Sequence, residues 1–265
     1  MRLMALDASR PAHPTAADAQ RVISLIDLTD LNDARVPDGL DTLVDRAVEH
    51  GVPAVCVWPE FVPRVAASLD ALRDLGTCLI ATVVNFPSGD QPVAEVVATT
   101  RGALAAGADE IDLVLPYRSL VAGDSESAST MVATIADLVH AGSGRSGAPA
   151  ELKVILETGE LVEPELITQA AELAVGAGAD FIKTSTGKTS VSATTIALSL
   201  MVDVVAGADR TVGLKPSGGI RTVAEAVEYL AIVDDQLGDG WATPATFRFG
   251  ASSLLDDAIA VALTA

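Results

Sequence analysis

Two copies of one local pattern indicate how this chain folds: AGADEIDLVL at residues 106–115 and AGADFIKTST at residues 177–186. In both copies a stretch with helical spacing ends at a glycine, and a short apolar run typical of a strand follows. The Ala-Gly-Ala-Asp motif occurs a third time at residues 206–209. This repetition predicts helix-then-strand units, as in proteins built on a parallel β-sheet.

The alternation continues along the rest of the chain, where β-branched apolar runs are separated by longer Ala-rich stretches. Eight runs are predicted to be strands, at residues 22–27, 54–57, 78–84, 110–115, 152–157, 180–183, 211–215 and 246–249. Helices are expected between them, the last from about residue 253 to the end. The pattern favours a parallel (β/α)8 TIM barrel that forms one domain over residues 1–265.

Other segments fit around this barrel. Residues 1–20 are predicted to be an N-terminal arm, and SGRSGAPA at 143–150 a flexible connection. An open doubly wound sheet fits less well, because no GxGxxG motif follows the first strand.

The composition argues against several classes of partner. The net charge of -19 and the pI near 4.3 disfavour binding to nucleic acid or to an anionic membrane through a basic surface. No apolar run is long enough to span a bilayer, and the first residues lack the apolar core of a signal peptide. Both cysteines lie in apolar runs outside any CxxC motif and are expected to be reduced thiols. A cytoplasmic protein is therefore expected.

The lysines are few and unusually placed. The chain has four lysines, and the first of them is Lys153. Lys153, Lys183 and Lys215 fall within or at the end of apolar, strand-like runs, although lysine is ordinarily a surface residue. This placement indicates a role other than solubility.

Lys183 and Lys215 are predicted to enter one end of the barrel from neighbouring strands. Two such amines repel each other and are partly desolvated, and both effects lower an amine's pKa. Lys183 is then the expected nucleophile toward a carbonyl, Lys215 the residue that tunes it, and Asp112, at the matching register of strand four, a proton-transfer group. A purely structural alternative is a set of buried ion pairs, with Lys153 matched by a carboxylate such as Glu157.

The loops after strands six, seven and eight predict an anion site. Glycines, hydroxyls, two cations and the start of the last helix occur there, where barrels of this type bind phosphate. The candidate residues are Gly187, Lys188, Gly218, Gly219, Arg221, Gly250, Ser252 and Ser253.

Several stretches resemble the deoxyribose-phosphate aldolase family, which consists of class I aldolases with the TIM-barrel fold. They are LIDLTDLND, ATVVNFPSG, ADEIDLVLPYRSLVAG, LKVILETGEL, GADFIKTSTGK, TVGLKPSGGIRT and FRFGASSLL, and they extend from about residue 25 to 255. The resemblance implies reversible cleavage of 2-deoxy-D-ribose 5-phosphate to glyceraldehyde 3-phosphate and acetaldehyde, with no metal and no cofactor. It makes Lys183 the Schiff-base lysine, Lys215 its tuning partner and Asp112 the proton-transfer group, and it suggests a homodimer.

The chain departs from the family pattern at two places. Ser217 stands where alanine is common, and the last tyrosine is Tyr229, whereas some members have a C-terminal tyrosine that assists proton transfer. Either Asp112 and a water suffice for proton transfer, or turnover is slower than in members with that tyrosine.

Four further residues are possible substrate contacts, although each also has a structural interpretation as a core or strand residue. They are Asp27, Thr29, Cys56 and Lys153.

Three other functions stay open at this point. The first is a class I aldolase with a different carbonyl donor, and the second is a non-catalytic barrel that binds a sugar phosphate. The third is a metal-dependent lyase, which the scattered positions of His13, His50 and His140 disfavour and which insensitivity to EDTA would exclude.

Overall fold

The computed structural model describes residues 13–74 and 76–264 and shows a sheet of eight parallel strands. The strands are β1 (Ile26–Asp30), β2 (Ala54–Val57), β3 (Leu79–Val84), β4 (Glu110–Val114), β5 (Glu151–Ile155), β6 (Phe181–Lys183), β7 (Gly213–Lys215) and β8 (Phe249–Ala251). The helices are α1 (Ala16–Ile23), α2 (Leu40–His50), α3 (Val62–Ala71), α4 (Val93–Ala105), α5 (Tyr117–Val121), α6 (Ser125–His140), α7 (Thr158–Leu161), α8 (Pro164–Gly176), α9 (Thr195–Ala206), α10 (Val223–Leu237) and α11 (Leu254–Thr264). A short 3-10 helix, Pro59–Phe61, precedes α3.

The sheet closes on itself. Its strands follow the order β7-β6-β5-β4-β3-β2-β1-β8, and two parallel bridges, Leu214 with Phe247 and Ser217 with Gly250, join the two ends. The amide of Arg248 donates to the carbonyl of Leu214 at 3.0 Å across this seam. The predicted (β/α)8 barrel is confirmed.

The helices cover the outside of the barrel, and their ends show the caps that their sequences favour. Thr15 and Asp18 form a capping box at the start of α1, and Thr222 and Glu225 form another at the start of α10. α1 packs against α11, which follows the last strand, so the two ends of the described chain lie together.

The first predicted strand was placed too early. Val22 and Ile23 end α1, because the capping box at Thr15 starts a helix within the predicted arm. β1 begins at Ile26, and residues 1–12 of the arm lie outside the described residues.

Two further segments differ from their predicted form. β8 starts at Phe249, three residues later than expected, because Thr246 belongs to a hydrogen-bonded turn with Thr243. Residues 143–150, predicted as a flexible connection, form a small antiparallel turn, in which the amide of Ser146 donates to Asp109 at 2.7 Å.

No helix in residues 13–74 and 76–264 is both long and apolar enough to cross a bilayer.

Gly213 lies beside Phe181 in the barrel interior, so a substitution at Gly213 reports how tightly that interior is packed. A Cβ at Gly213 would lie 2.2 Å from the ring of Phe181, which is 1% exposed. We expect Gly213→Ala to lower the free energy of unfolding by about 1–3 kcal/mol, because the buried ring has no space to move into. Urea unfolding measures this change.

The matched control is Gly102→Ala in the middle of α4, where an added Cβ meets nothing within 4 Å. This substitution should raise stability by about 0.5–1 kcal/mol. If the two substitutions changed the free energy of unfolding equally, this result would contradict tight packing around Phe181.

Candidate active site

Lys183, Lys215 and Asp112 meet inside the barrel. Lys183 ends β6, Lys215 ends β7, and Asp112 lies in the middle of β4. The Nζ atoms of both lysines lie 2.8 Å from the same oxygen, Oδ2 of Asp112. The structure thus brings together the three residues that the sequence singled out.

The charges continue across the barrel through residues that the sequence analysis did not connect. Lys215 also lies 2.5 Å from Oδ2 of Asp27 on β1. The guanidinium of Arg248 donates to Oδ1 of Asp27 at 2.6 Å and to Oε1 of Glu110 at 3.1 Å. Arg248 therefore joins β1 to β4 from the segment just before β8.

Lys153 completes a closed loop of ion pairs. Its Nζ contacts Oε2 of Glu110 and lies 3.3 Å from Oδ1 of Asp112. We call this loop the charge ring, and its members in order are Asp112, Lys215, Asp27, Arg248, Glu110 and Lys153. Three cations and three carboxylates balance within it, and Lys183 attaches as a seventh ionisable group through Asp112.

The charge ring is almost wholly removed from water, since the side chains of its members are at most 3% exposed. Burying an ion costs several kcal/mol unless oppositely charged or hydrogen-bonding partners surround it. The alternation of signs meets this requirement, because each cation of the ring contacts two carboxylates.

The ring sets the ionisation of its members near neutral pH. Burial alone would raise the pKa of Asp112, but Lys183, Lys215 and Lys153 outweigh burial and hold that pKa well below its usual range. Burial would lower the pKa of Lys215, but Asp112 and Asp27 raise it above its usual value. For Lys215 the expectation of a lowered amine pKa is therefore wrong, because two carboxylates face it.

Arg248 and Glu110 are the members of the ring that the sequence analysis missed. Arg248 stands between Phe247 and Phe249 in an apolar run, the same signal that drew attention to the buried lysines. Glu110 lies two residues before Asp112, so both side chains project from the same face of β4. Either signal could have identified these residues.

Glu157 has a different role from the one suggested for it. It does not pair with Lys153. Its buried carboxylate accepts hydrogen bonds from the amide and hydroxyl of Thr186 and from the hydroxyl of Thr189, in the loop after β6. Burial raises the pKa of Glu157, although the bonds from Thr186 oppose the rise. Glu157 therefore anchors the loop that carries Gly187 and Lys188.

The loops of the predicted anion site adjoin one another. A Cβ at Gly187 would lie 3.8 Å from the Cα of Gly218, and both glycines have positive φ, at 78° and 84°. Gly250 pairs with Ser217, and a Cβ on it would lie 2.4 Å from the Ser217 hydroxyl. The backbone at the three strand ends is therefore closely packed.

The polar side chains of this region differ in what they contact. Lys188 donates to the carbonyl of Leu31 at 2.8 Å and lies 2.6 Å from the carboxylate of Asp33, so it is tied to the loop after β1. Arg221 is exposed in the loop after β7, where Gly219 also lies. Ser252 and Ser253 are exposed directly before α11.

The four possible substrate contacts lie at different depths. Asp27 and Lys153 belong to the buried charge ring. Thr29 is half-buried and donates to the carbonyl of Asp27 at 2.8 Å. Cys56 is fully buried, and burial, with a contribution from Asp112, raises the pKa of its thiol to about 11. Cys56 is thus a protonated thiol at neutral pH.

Within the part of the chain that the structure describes, no group of three or more His, Cys, Asp or Glu side chains is arranged to hold a metal ion.

Asp112 should make stability depend on pH. Its native pKa is lowered, so its stabilising contribution is present above the unfolded pKa of about 3.9 and is lost as the pH falls through the native pKa. We expect Asp112→Asn to lower the free energy of unfolding by about 3–5 kcal/mol at pH 7, since it leaves buried amines uncompensated. The difference in unfolding free energy between this variant and the parent protein should become smaller as the pH falls from about 5 toward 2. Urea unfolding across this range measures it.

Asp203→Asn is the control, because Asp203 is an exposed carboxylate on α9. That variant should follow the parent protein at every pH. If the loss of stability in Asp112→Asn is the same at every pH, this result would contradict a charged Asp112 in the native state.

Comparisons with known proteins identify the family of this chain. Residues 21–258 match the DeoC/LacD family aldolase profile. A deoxyribose-phosphate aldolase of Agrobacterium fabrum is 45% identical over 260 residues, which cover 97% of this chain and 95% of that protein.

Solved structures show the same fold. A protein from Coccidioides immitis is 27% identical, with a TM-score of 0.76 over 93% of this chain and 87% of that one. The aldolase QR15 is 26% identical, with a TM-score of 0.73 over 90% of this chain and 95% of that one. The chain belongs to the DeoC/LacD family of aldolases, which are carbon–carbon lyases.

Proposed function

We propose that this aldolase reversibly cleaves 2-deoxy-D-ribose 5-phosphate to D-glyceraldehyde 3-phosphate and acetaldehyde through a Schiff base on Lys183. One observation carries the proposal. Among the described residues, Lys153, Lys215 and Arg248 each contact two carboxylates, whereas Lys183 contacts only Asp112, and on an oxygen that Lys215 already uses.

This arrangement distinguishes the two lysines chemically. Asp27 and Asp112 together keep Lys215 protonated, consistent with its raised pKa. One carboxylate oxygen does not neutralise two ammonium groups, so charge balance favours a neutral amine at Lys183. Lys183 is therefore the nucleophile, and Lys215 is a permanent positive charge beside it.

The amine of Lys183 adds to the C1 aldehyde of the open-chain sugar and forms a carbinolamine, which loses water to give an iminium ion. Removal of the C3 hydroxyl proton then breaks the C2–C3 bond, whose electron pair moves toward the iminium nitrogen. Glyceraldehyde 3-phosphate leaves, and an enamine of acetaldehyde remains on Lys183. Protonation at C2 and hydrolysis release acetaldehyde and restore the amine.

Asp112 lies where it can move protons between these intermediates. Its Oδ2 is 2.8 Å from the Lys183 nitrogen, a distance that allows direct proton transfer. A carboxylate with a lowered pKa holds a proton only briefly, and a bound water is expected to carry protons to more distant atoms.

The loops at the ends of β6, β7 and β8 are proposed to bind the 5-phosphate. Their closely packed glycine backbones, Lys188, Arg221 and the start of α11 supply amide donors and positive charge. Lys188 has to release Asp33 to reach a phosphate. Binding energy from the phosphate would orient a small sugar for chemistry at its other end.

A cytoplasmic location is part of the proposal and is consistent with the free thiols of Cys56 and Cys78.

Trapping with borohydride tests the Schiff base. The protein is incubated with acetaldehyde and reduced, and its peptides are weighed by mass spectrometry. We expect a two-carbon adduct confined to Lys183. Lys183→Leu should lose both the adduct and the aldolase activity, whereas Lys188→Leu should keep the adduct.

Each other result has a definite meaning. An adduct on Lys215 would reverse the roles of the two lysines. No adduct on folded protein would favour a metal-dependent lyase or a non-catalytic binding barrel, and sensitivity to EDTA separates these two. An adduct without cleavage of 2-deoxyribose 5-phosphate would indicate a different carbonyl donor.

The anion site predicts a change in KM with little change in kcat. Arg221→Ala or Ser253→Ala should raise the KM for 2-deoxyribose 5-phosphate about tenfold, the effect of losing one charge-assisted hydrogen bond. Cleavage of unphosphorylated 2-deoxyribose should be unaffected. Steady-state kinetics on the two sugars measure this.

Arg210→Ala serves as the control, since Arg210 donates to the carbonyl of Ala179 just before β6, at the opposite end of the barrel. It should leave both KM values unchanged. If Arg221→Ala raised the KM for both sugars equally, this result would contradict phosphate binding at Arg221.

A further inference from the structure

Arg248 is the arginine of the charge ring, and it is held from three sides. It is 3% exposed, donates to Asp27 and Glu110, and is fixed by a bond from Nε to the carbonyl of Pro244. Burial lowers the pKa of Arg248, but Glu110 and Asp27 raise it above its usual value. Its charge does not vary with pH.

We propose that Arg248 is a positioning residue for the Schiff-base lysine: by engaging Asp27 and Glu110, it leaves Lys215 and Lys153 in contact with Asp112. Lys183 then receives only part of the attraction of the Asp112 carboxylate. This role rests on the proposed function of Lys183.

The argument follows the contacts around the ring. Asp27 has two cationic partners, Arg248 and Lys215, and Glu110 has Arg248 and Lys153. Without Arg248, each of these carboxylates keeps a single cation and attracts it more strongly.

Both of those cations also contact Asp112, at 2.8 Å for Lys215 and 3.3 Å for Lys153. A stronger pull toward Asp27 and Glu110 weakens these contacts. The charge of Asp112 then acts more fully on Lys183, and the interior as a whole has one positive charge fewer. Both effects favour the ammonium form of Lys183, which is not nucleophilic.

Several other ionisable groups face the amine of Lys183 from the surrounding strands. The thiol of Cys56 stays protonated, since its pKa is raised to about 11. Glu157 is held by Thr186. Among the described residues, Cys56, Asp112, Glu157 and Lys215 lie around this amine, and Asp27 and Lys153 act on it through their contacts with Lys215 and Asp112. Arg248 contacts one of these groups directly and, through Glu110, a second.

The test follows the rate at which Lys183 is trapped by acetaldehyde and cyanoborohydride between about pH 5.5 and 9. In Arg248→Met the acidic limb of the pH profile should move up by about one pH unit, the size of a unit charge acting across a partly screened interior. Trapping at pH 7 should be about tenfold slower, and the plateau at high pH should stay within about twofold.

Two variants separate charge from packing. Arg248→Lys keeps the charge and should recover most of the shift. The double variant Glu110→Gln with Arg248→Met removes one anion with one cation, so its acidic limb should return toward that of the parent protein. The pH profile of trapping can be measured on both variants even where Arg248→Met alone does not fold.

A surface ion pair supplies the control. Arg21 pairs with Asp234 at 2.6 Å between α1 and α10, away from the charge ring. Arg21→Met should lower stability and leave the pH profile of trapping in place.

The outcomes distinguish this role from the proposed function. Trapping of the parent protein together with an unmoved acidic limb in Arg248→Met, or a lowered plateau without a shift, overturns the role of Arg248 and leaves the Schiff base intact. A double variant shifted as far as Arg248→Met also overturns it. Failure of the parent protein to trap acetaldehyde at any pH overturns both.

Discussion

Mutual neutralisation of the charges inside the barrel is the constraint on which the rest of the structure depends. Seven ionisable side chains lie there, and none is more than 3% exposed. Each would cost several kcal/mol if it were unpaired. The alternating signs of the charge ring remove this cost only while the strands keep their register. A slip of one residue would turn charged side chains toward the helices.

In the proposed mechanism, the ring also determines which amine is reactive. Lys215 and Lys153 are closed into the ring by two carboxylates each, whereas Lys183 attaches to it through Asp112 alone. On this proposal, the reactivity of each lysine depends on the charges around it and not on burial by itself. Arg248 contributes to these charges although four successive ion pairs connect it to Lys183, through Asp27, Lys215 and Asp112.

Much of the fold could be predicted, because strand and helix periodicities are local properties of the chain. The errors occurred where local signals overlap. Val22 and Ile23 look like the start of a strand, yet the cap at Thr15 makes them the end of α1. For the site, the rarity of lysine and its position in apolar runs identified three of the four interior cations. Arg248, between Phe247 and Phe249, meets the same criterion and is the fourth.

The sequence by itself determined the eight repeating units, the barrel class, and the positions of Asp112 within strand four and of Lys183 and Lys215 at the ends of strands six and seven. These follow from spacing along the chain, which fixes the face on which each side chain lies. Only the tertiary structure decided which charges are partners, since Arg248 and Asp27 are 221 residues apart and meet only when the sheet closes. It also reversed the expected pKa shift of Lys215. A pKa depends on the charges within a few ångströms, and barrel closure determines those charges.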